Sequence, residues 1–216
     1  MDFSSVKWIF FDMGHTLLDE DGVHVTRLEK LTEDLHEMGK ECPSIEDMLA
    51  EMVEFGTLGA RSPFFEVARK YGSKKYYGYN PAFEVPFPET EEALKKLSSK
   101  YKLGIIANQR GGSAHRLQSH GLMKYIDIVY SSDEMGRSKP APDLFLSALD
   151  AVGCSPEEAC MVGDRADNDI RPAKALGMKT VRVRQGFYRN RPALTENDIP
   201  DADIPSIGDL PAVFGL

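Results

Sequence analysis

The stretch WIFFDMGHTLL, Trp8 to Leu18, decides the fold of this 216-residue chain. Its first half is an aromatic and aliphatic run that stops abruptly at Asp12, and a glycine turn follows. Such a run is typical of a buried strand in a parallel sheet, and ligands of these sheets bind outside the carboxyl ends of the strands. Asp12 is therefore a candidate functional carboxylate, although an acid at this position can also cap a turn or a helix.

Further apolar runs follow the first one along the chain. Together they predict five strands, at residues 6–11, 103–107, 126–130, 159–163 and 180–183. Helical patterns separate the strands after the first, with Ser113 as a candidate N-cap and Ser155 and Glu158 as a capping box. Strands that alternate with helices predict a doubly wound α/β domain with a mainly parallel, Rossmann-like sheet.

The interval between the first two predicted strands is far longer than the ~15 residues that a bare loop usually has. It carries amphipathic helical patterns at 25–38, 44–55 and 63–71 but no good strand. We therefore expect a core domain formed by residues 1–18 and 88–216, and an all-helical cap formed by residues 19–87. An insert directly after the Asp12 strand has the geometry of a lid.

Charge and cysteine content limit the partners and the location. A net charge of -8 argues against binding to nucleic acid, which requires a concentrated basic face. The arginines gather only in VRVRQGFYRNRP, where alternation of valines with Arg182 and Arg184 predicts a half-exposed strand edge. Three cysteines without CxxC spacing indicate a reducing compartment, and no apolar stretch approaches the roughly 20 residues that cross a bilayer. We expect a cytoplasmic monomer or dimer without a membrane partner.

Polar residues follow four of the predicted strands. In chain order they are Asp12 and Gly14, then Asn108, Gln109 and Arg110, then Lys139, and finally Asp164, Asp167 and Asp169. If the strands are parallel, these residues gather in one crevice. Carboxylates without a His or Cys cluster suit Mg²⁺ better than zinc. A lysine beside them would neutralise charge in a crowded anionic site.

These residues occur in an order that resembles the haloacid dehalogenase-like (HAD) superfamily over essentially the whole chain. FFDMGHTL matches the family's strand ending in DxDGT, and Ala107 with Asn108 matches its second motif. Lys139 in SKPAPDLF matches the third motif, and Gly163, Asp164 and Asp169 match the fourth, GDxxxxD. The helical insert is similar to the family's helical cap.

The resemblance implies a Mg²⁺-dependent phosphatase that acts on a small phosphorylated metabolite. Asp12 would form an aspartyl-phosphate that water hydrolyses, and Lys139 would pair with Asp12 and the phosphoryl oxygens. The implied metal site consists of Asp12, the Gly14 carbonyl and Asp164, with Asp169 orienting the set. Asp167 lies inside the fourth motif, so we expect it to be solvated or to lie behind the ligands.

Two departures from the family pattern bear on the reaction. Gly14 stands where the phosphatases carry a second Asp, whose acid/base work contributes about 10²- to 10⁴-fold. His15 stands at the next position, normally Gly, and its ordinary pKa suits proton transfer near neutrality. Ala107 removes a hydroxyl donor to the phosphate, for which Asn108, Gln109 and Arg110 could compensate as phosphate-binding residues.

The departures leave alternatives open. The dehalogenase branch works without a metal and generally has an aromatic residue at the Gly14 position, and the retention of Asp164 and Asp169 speaks against it. The phosphonatase branch uses a cap lysine, for which Lys70, Lys74 or Lys75 would be candidates. A protein of another class would keep the fold to bind a phosphorylated ligand or a protein partner without catalysis. A hydrolase is the favoured interpretation.

Overall fold

The computed structural model describes residues 2–109 and 112–216. The strands in this part of the chain are β1 (Trp8–Phe11), β2 (Leu18–Asp19), β3 (Val85–Pro86), β4 (Lys102–Ala107), β5 (Ile128–Ser131), β6 (Ala159–Gly163), β7 (Lys179–Val183) and β8 (Ala202–Ile204). The α-helices are α1 (Asp21–Glu37), α2 (Ile45–Thr57), α3 (Pro63–Lys70), α4 (Thr90–Ser98), α5 (Ser113–Ser119), α6 (Ser132–Met135), α7 (Pro142–Val152), α8 (Arg171–Ala175) and α9 (Leu210–Val213). No helix among these residues is both long and apolar enough to span a membrane.

Six of the strands form one parallel sheet in the order β5-β4-β1-β6-β7-β8. In the centre, Phe11 at the end of β1 pairs with Ile105 of β4 and with Val162 of β6. The carboxyl ends of these neighbouring strands therefore lie at one edge of the sheet. The predicted α/β fold with a mainly parallel, Rossmann-like sheet is confirmed, and all five predicted strands are present.

The sheet is buried on both faces, as continuous apolar strands require. Successive side chains of β1 alternate between two hydrophobic clusters, because a strand has a period of two. Ile9 and Phe11 pack in one cluster with Val162, whereas Phe10 packs in the other with Phe145. Burial of β1 on both sides fixes the position of the residue that follows it, Asp12.

The strand β7 differs from the prediction of a half-exposed edge. Arg182 is fully buried, and β7 lies between β6 and β8 rather than at the edge of the sheet. Arg184, two residues later, pairs with Asp203 through an Nε–Oδ1 hydrogen bond of 2.7 Å. The edge strand β8 lies beyond the last predicted strand, since three residues with a central aspartate give a weak strand pattern.

One of the two predicted helix starts is confirmed and the other is wrong. Ser44 caps α2 by accepting a hydrogen bond of 3.1 Å from the Asp47 amide, and Ser155 forms the predicted capping box with Glu158. The expectation for α5 was wrong. Its N-cap is Gly112 with a φ of 75°, and Ser113 is already the first helical residue, because glycine adopts this left-handed conformation without a Cβ penalty.

The chain divides into two compact units. The core unit contains the residues up to Leu18 together with Pro86–Gln185 and Ala193–Leu216, and the helical unit contains Asp19–Val85 and Gly186–Pro192. The helical unit has its own hydrophobic core, in which α1, α2 and α3 pack with Phe187 and Tyr188. A Cβ at Gly56 of α2 would lie 2.8 Å from the Phe187 carbonyl carbon, so this close approach requires glycine.

Candidate active site

Three carboxylates lie together beyond the carboxyl ends of β1 and β6. Asp12 follows β1, and its backbone amide donates a 2.9 Å hydrogen bond to the Val162 carbonyl of β6. Asp164 directly follows β6, and Asp169 lies in the π-helical turn Ala166–Ile170. One oxygen from each of the three acids lies within 4.8 Å of the others. The predicted convergence of strand-end acids is thus present in the core unit.

Lys139 joins two of these acids from the loop before α7. Its Nζ donates to Oδ1 of Asp12 at 2.7 Å and to Oδ1 of Asp169 at 2.6 Å. Burial alone would lower the pKa of Lys139, but the charges of Asp12 and Asp169 outweigh it and raise this pKa. Lys139 is therefore a cation held between the two carboxylates, and such a group can neutralise a bound anion.

Exposure distinguishes the three acids. The side chain of Asp12 is 14% exposed, whereas that of Asp169 is 1% exposed and Asp164 is also buried. Asp12 is thus the most accessible carboxylate of the cluster, and a nucleophile must be accessible to its substrate.

The position of Asp169 is sterically coupled to Gly163. A Cβ at Gly163 would lie 2.5 Å from Cγ and 2.6 Å from Cβ of Asp169, and closer still to its Oδ2. The same Oδ2 accepts a 3.0 Å hydrogen bond from the Arg165 amide. Glycine at the end of β6 therefore leaves the space that the Asp169 carboxylate occupies.

The electrostatics of the cluster indicate a site for a cation. Burial raises the pKa of Asp164 well above its ordinary value, and the neighbouring charges of Asp169 and Asp12 add to this effect. Burial likewise raises the pKa of Asp169 to about 6, although Lys139 partly offsets it. The raised pKa values indicate that nearby cations, including Lys139 and Arg165, do not fully offset the negative charge of the acids, and buried charge is unfavourable without a partner. A hard divalent cation such as Mg²⁺ fits this set of oxygen donors.

The predicted phosphate-binding residues differ in their surroundings. Asn108 pairs with the backbone of Lys139, donating from Nδ2 to its carbonyl at 2.8 Å and accepting its amide at Oδ1 at 2.7 Å. Gln109 accepts a 2.7 Å hydrogen bond at Oε1 from the buried Arg116 of α5. Arg110 lies outside the described residues. A phosphate-binding role for these three residues stays a prediction.

The two positions that depart from the family pattern form the turn after Asp12. Gly14 is half-buried and forms an isolated β-bridge with Leu18. His15 is buried at 5% exposure, and its φ of 51° makes it the only described non-glycine residue with a positive φ. Such strained residues cluster at functional sites. Glycine, which the DxDGT pattern has at this position, adopts such a left-handed backbone without a Cβ penalty.

The sequence interpretation missed Arg182 as a contributor to this site, and it did not foresee the contacts of Gly163 and Asn108, which it had named. Gly163 leaves the space that the Asp169 carboxylate occupies, and Asn108 binds the backbone of Lys139. Arg182 donates a 3.2 Å hydrogen bond from Nε to the Asp164 carbonyl. Asp167 instead faces Arg165, which donates to it through Nε at 3.1 Å and Nη2 at 2.9 Å. No sequence signal identified Arg182, because the position of β7 inside the sheet depends on β8, whose three-residue pattern is weak.

A parallel sheet, a strand-end carboxylate, a buried lysine and the GDxxxxD acids are the features that the HAD resemblance led us to expect. A family model described as haloacid dehalogenase-like hydrolase matches residues 9–183. The chain belongs to this family.

Similar proteins include named phosphatases. A glyceraldehyde 3-phosphate phosphatase from Methanopyrus kandleri is 35% identical over 131 residues, which cover 60% of this chain and 56% of that protein. The chain thus spans little more than half of that relative. A phosphoglycolate phosphatase from Aquifex aeolicus is 30% identical, and the alignment covers 95% of both chains. The crystal structure of a HAD phosphatase from Thermococcus onnurineus superposes with a TM-score of 0.64 at 25% identity, covering 97% of this chain and 98% of that one.

Proposed function

We propose that this protein is a Mg²⁺-dependent phosphatase that hydrolyses a small phosphorylated metabolite through an aspartyl-phosphate on Asp12. The observation that carries the proposal is the contact of Lys139 with Asp12 and Asp169, beside Asp164, at the carboxyl ends of parallel strands. Relatives named for phosphoglycolate and glyceraldehyde 3-phosphate support a small monophosphate as substrate.

Each site residue has its own role in the proposed reaction. An Asp12 oxygen attacks phosphorus, so that an acyl-phosphate bond forms while the bond from phosphorus to the leaving oxygen breaks. Lys139 balances charge on Asp12 and on the phosphoryl oxygens. Water then attacks the aspartyl-phosphate and releases inorganic phosphate, regenerating the carboxylate. Asp12, the Gly14 carbonyl and Asp164 would hold Mg²⁺, which supplies charge neutralisation at the phosphoryl group when bound.

Proton transfer is the step that this chain performs differently from its family. Gly14 supplies no acid, so an alkoxide leaving group departs without the protonation that is worth about 10²- to 10⁴-fold. Aryl and acyl phosphates have leaving groups that depart without a proton. His15, buried in the same turn, is the candidate for the residual acid/base work.

Two of the three candidate lysines of the phosphonatase alternative, Lys70 and Lys75, are disfavoured by their surroundings. A lysine that forms a Schiff base must lose its proton, which requires a lowered pKa. The hydrogen bond to Glu51 instead raises the pKa of Lys70, and the hydrogen bond to Asp34 raises the pKa of Lys75. The division into a cap of residues 19–87 and a core of residues 1–18 and 88–216 stays part of the proposal, although the helical unit of the structure ends at Val85 and also contains Gly186–Pro192. The cytoplasmic location and the absence of nucleic-acid and membrane partners stay predictions.

A hydrolysis panel tests the proposal. Purified protein with Mg²⁺ is assayed on aryl, acyl and alkyl phosphates, including phosphoglycolate, and on a phosphonate. We expect turnover of aryl and acyl phosphates that exceeds alkyl turnover, and its loss in Asp12→Asn. Asp167→Asn is the matched control, since Asp167 is paired with Arg165 and its turnover should stay within about threefold of wild type.

Three outcomes would contradict the proposal. No turnover of any substrate, with wild type and Asp12→Asn indistinguishable, would favour a protein that binds a phosphorylated ligand without catalysis. Turnover confined to the phosphonate, with a borohydride-trapped lysine, would restore the phosphonatase alternative. Full activity after removal of divalent cations would contradict the metal requirement.

A further inference from the structure

Arg182 is a fully buried charged residue beside the acidic loop, the segment that carries Asp164, Asp167 and Asp169. Its side chain is one of the largest fully buried side chains in the part of the chain that the structure describes. In the sheet, Arg182 pairs with Gly163, the residue before Asp164. Val181 and Val183 point into the hydrophobic cluster on one face of the sheet, so Arg182 projects from the other face. If Arg182 only filled space, an apolar side chain could do the same without the unfavourable burial of a guanidinium group.

The described hydrogen bond of Arg182 goes to the backbone of the site. Its Nε donates to the Asp164 carbonyl oxygen at 3.2 Å. The amide of the same peptide unit, which belongs to Arg165, donates to Oδ2 of Asp169 at 3.0 Å. A peptide unit is planar, so contacts at its carbonyl and at its amide together fix its orientation. One rigid group thus connects Arg182 to both acids of the fourth motif.

We propose that Arg182 is a positioning residue for the metal site, acting through the peptide between Asp164 and Arg165. By fixing that peptide, Arg182 holds two groups in place. One is the side chain of Asp164, whose carbonyl belongs to the peptide, and the other is the Asp169 carboxylate, which accepts a hydrogen bond from the amide of the peptide. Interactions behind the ligands commonly change metal affinity by about 10- to 100-fold when they are removed. The inference rests on the proposed Mg²⁺ site and adds a residue that does not touch the ion.

Lysine substitution separates the hydrogen bond from the charge. Lysine has a methylene group at the position where arginine has Nε, so Arg182→Lys keeps a cation and removes this donor. Arg182→Met removes both the donor and the charge. Arg184 supplies the matched controls, because it lies two residues further along β7 and pairs with Asp203 instead of the acidic loop.

The experiment is a calorimetric titration of the full chain with Mg²⁺ alone, at neutral pH. Unfolding temperatures of all variants are measured in parallel. We expect the Mg²⁺ dissociation constant to rise about 10- to 100-fold in Arg182→Lys and in Arg182→Met. Arg184→Lys and Arg184→Met should stay within about twofold of wild type. At saturating Mg²⁺, KM for an aryl phosphate should be unchanged in Arg182→Lys.

Each remaining outcome decides against the inference. Wild-type Mg²⁺ affinity in Arg182→Lys overturns the role of the Nε hydrogen bond. This result is decisive even if Arg182→Met fails to fold. A lowered unfolding temperature with unchanged affinity shows a purely structural arginine. Absence of Mg²⁺ binding in the wild type overturns the metal site itself, and with it the inference, so the two failures are distinguishable.

Discussion

Replacement of Gly163 by alanine tests the steric basis of the site most directly. The added Cβ would lie 2.5 to 2.6 Å from Cγ and Cβ of Asp169, whereas ordinary contacts between such atoms begin near 3.4 Å. Relief requires a shift of about 1 Å in a carboxylate that is buried and bonded to Lys139 and to the Arg165 amide. A misplacement of this size can reduce a rate by about 10²-fold.

We therefore expect Gly163→Ala to lower kcat for an aryl phosphate by about 100-fold at saturating Mg²⁺. Overpacking should also cost about 1 to 3 kcal/mol in the free energy of unfolding, measured with urea. Gly78→Ala is the control, since a Cβ at Gly78 meets no atom within 4 Å. Its kcat should equal that of the wild type.

A double-mutant cycle shows whether the effect of Gly163→Ala is transmitted through Asp169. If it is, adding Gly163→Ala to Asp169→Ala should lower kcat no further, because the group that the Cβ displaces is already absent. Near-wild-type activity of Gly163→Ala would refute the steric reasoning. Multiplicative effects of the two substitutions would refute the role of Asp169 in it.

Three further predictions concern single side chains. Asn108→Ala should lower kcat by about tenfold or more with little change in KM, measured with an aryl phosphate, because Asn108 holds the backbone of Lys139. Burial would raise the pKa of Asp198, but hydrogen bonds from Arg171 and two amides outweigh it and lower this pKa to about 2. Asp198→Asn should therefore cost about 1 to 3 kcal/mol in urea unfolding at pH 7, a difference that is lost as the pH falls from ~4 toward 2. His15→Gly should be more stable than His15→Ala by about 1 kcal/mol, because the φ of 51° favours glycine.

Each of these predictions has a distinct contrary result. A raised KM with unchanged kcat in Asn108→Ala would assign Asn108 to phosphate binding instead. A stability difference for Asp198→Asn that persists unchanged at pH 2 would contradict the depressed pKa, since a depressed carboxyl stabilises the fold only while it is ionised. Equal stability of the two His15 variants would show that this backbone is not strained.

Much of the fold could be predicted because buried parallel strands are continuous apolar runs. WIFF and ACMVG carry that pattern without interruption, and both are strands. The strand β8 could not be predicted, since Ala202–Ile204 is short and has a charged central residue. Arg182 was expected at a half-exposed edge because valines alternate with Arg182 and Arg184, and no strand was predicted beyond β7.

The sequence indicated which residues gather at the candidate site better than it indicated the contacts between them. Parallel topology alone brings Asp12, Asp164 and Lys139 to one edge, so their order in the chain was sufficient. The pairing of Asn108 with the Lys139 backbone depends on how two loops cross, which local patterns do not encode. The constraint on Gly163 depends on where the π-helical turn places Asp169.

The segment Gly186–Pro192 has a consequence for protein engineering. Phe187 and Tyr188 lie in the hydrophobic core of the helical unit, although more than a hundred residues of chain separate them from the rest of it. A chimera that transplants only residues 19–85 from a relative would combine foreign helices with these two native aromatic side chains. A workable exchange must transfer both segments together, with glycine retained where α2 meets the Phe187 carbonyl.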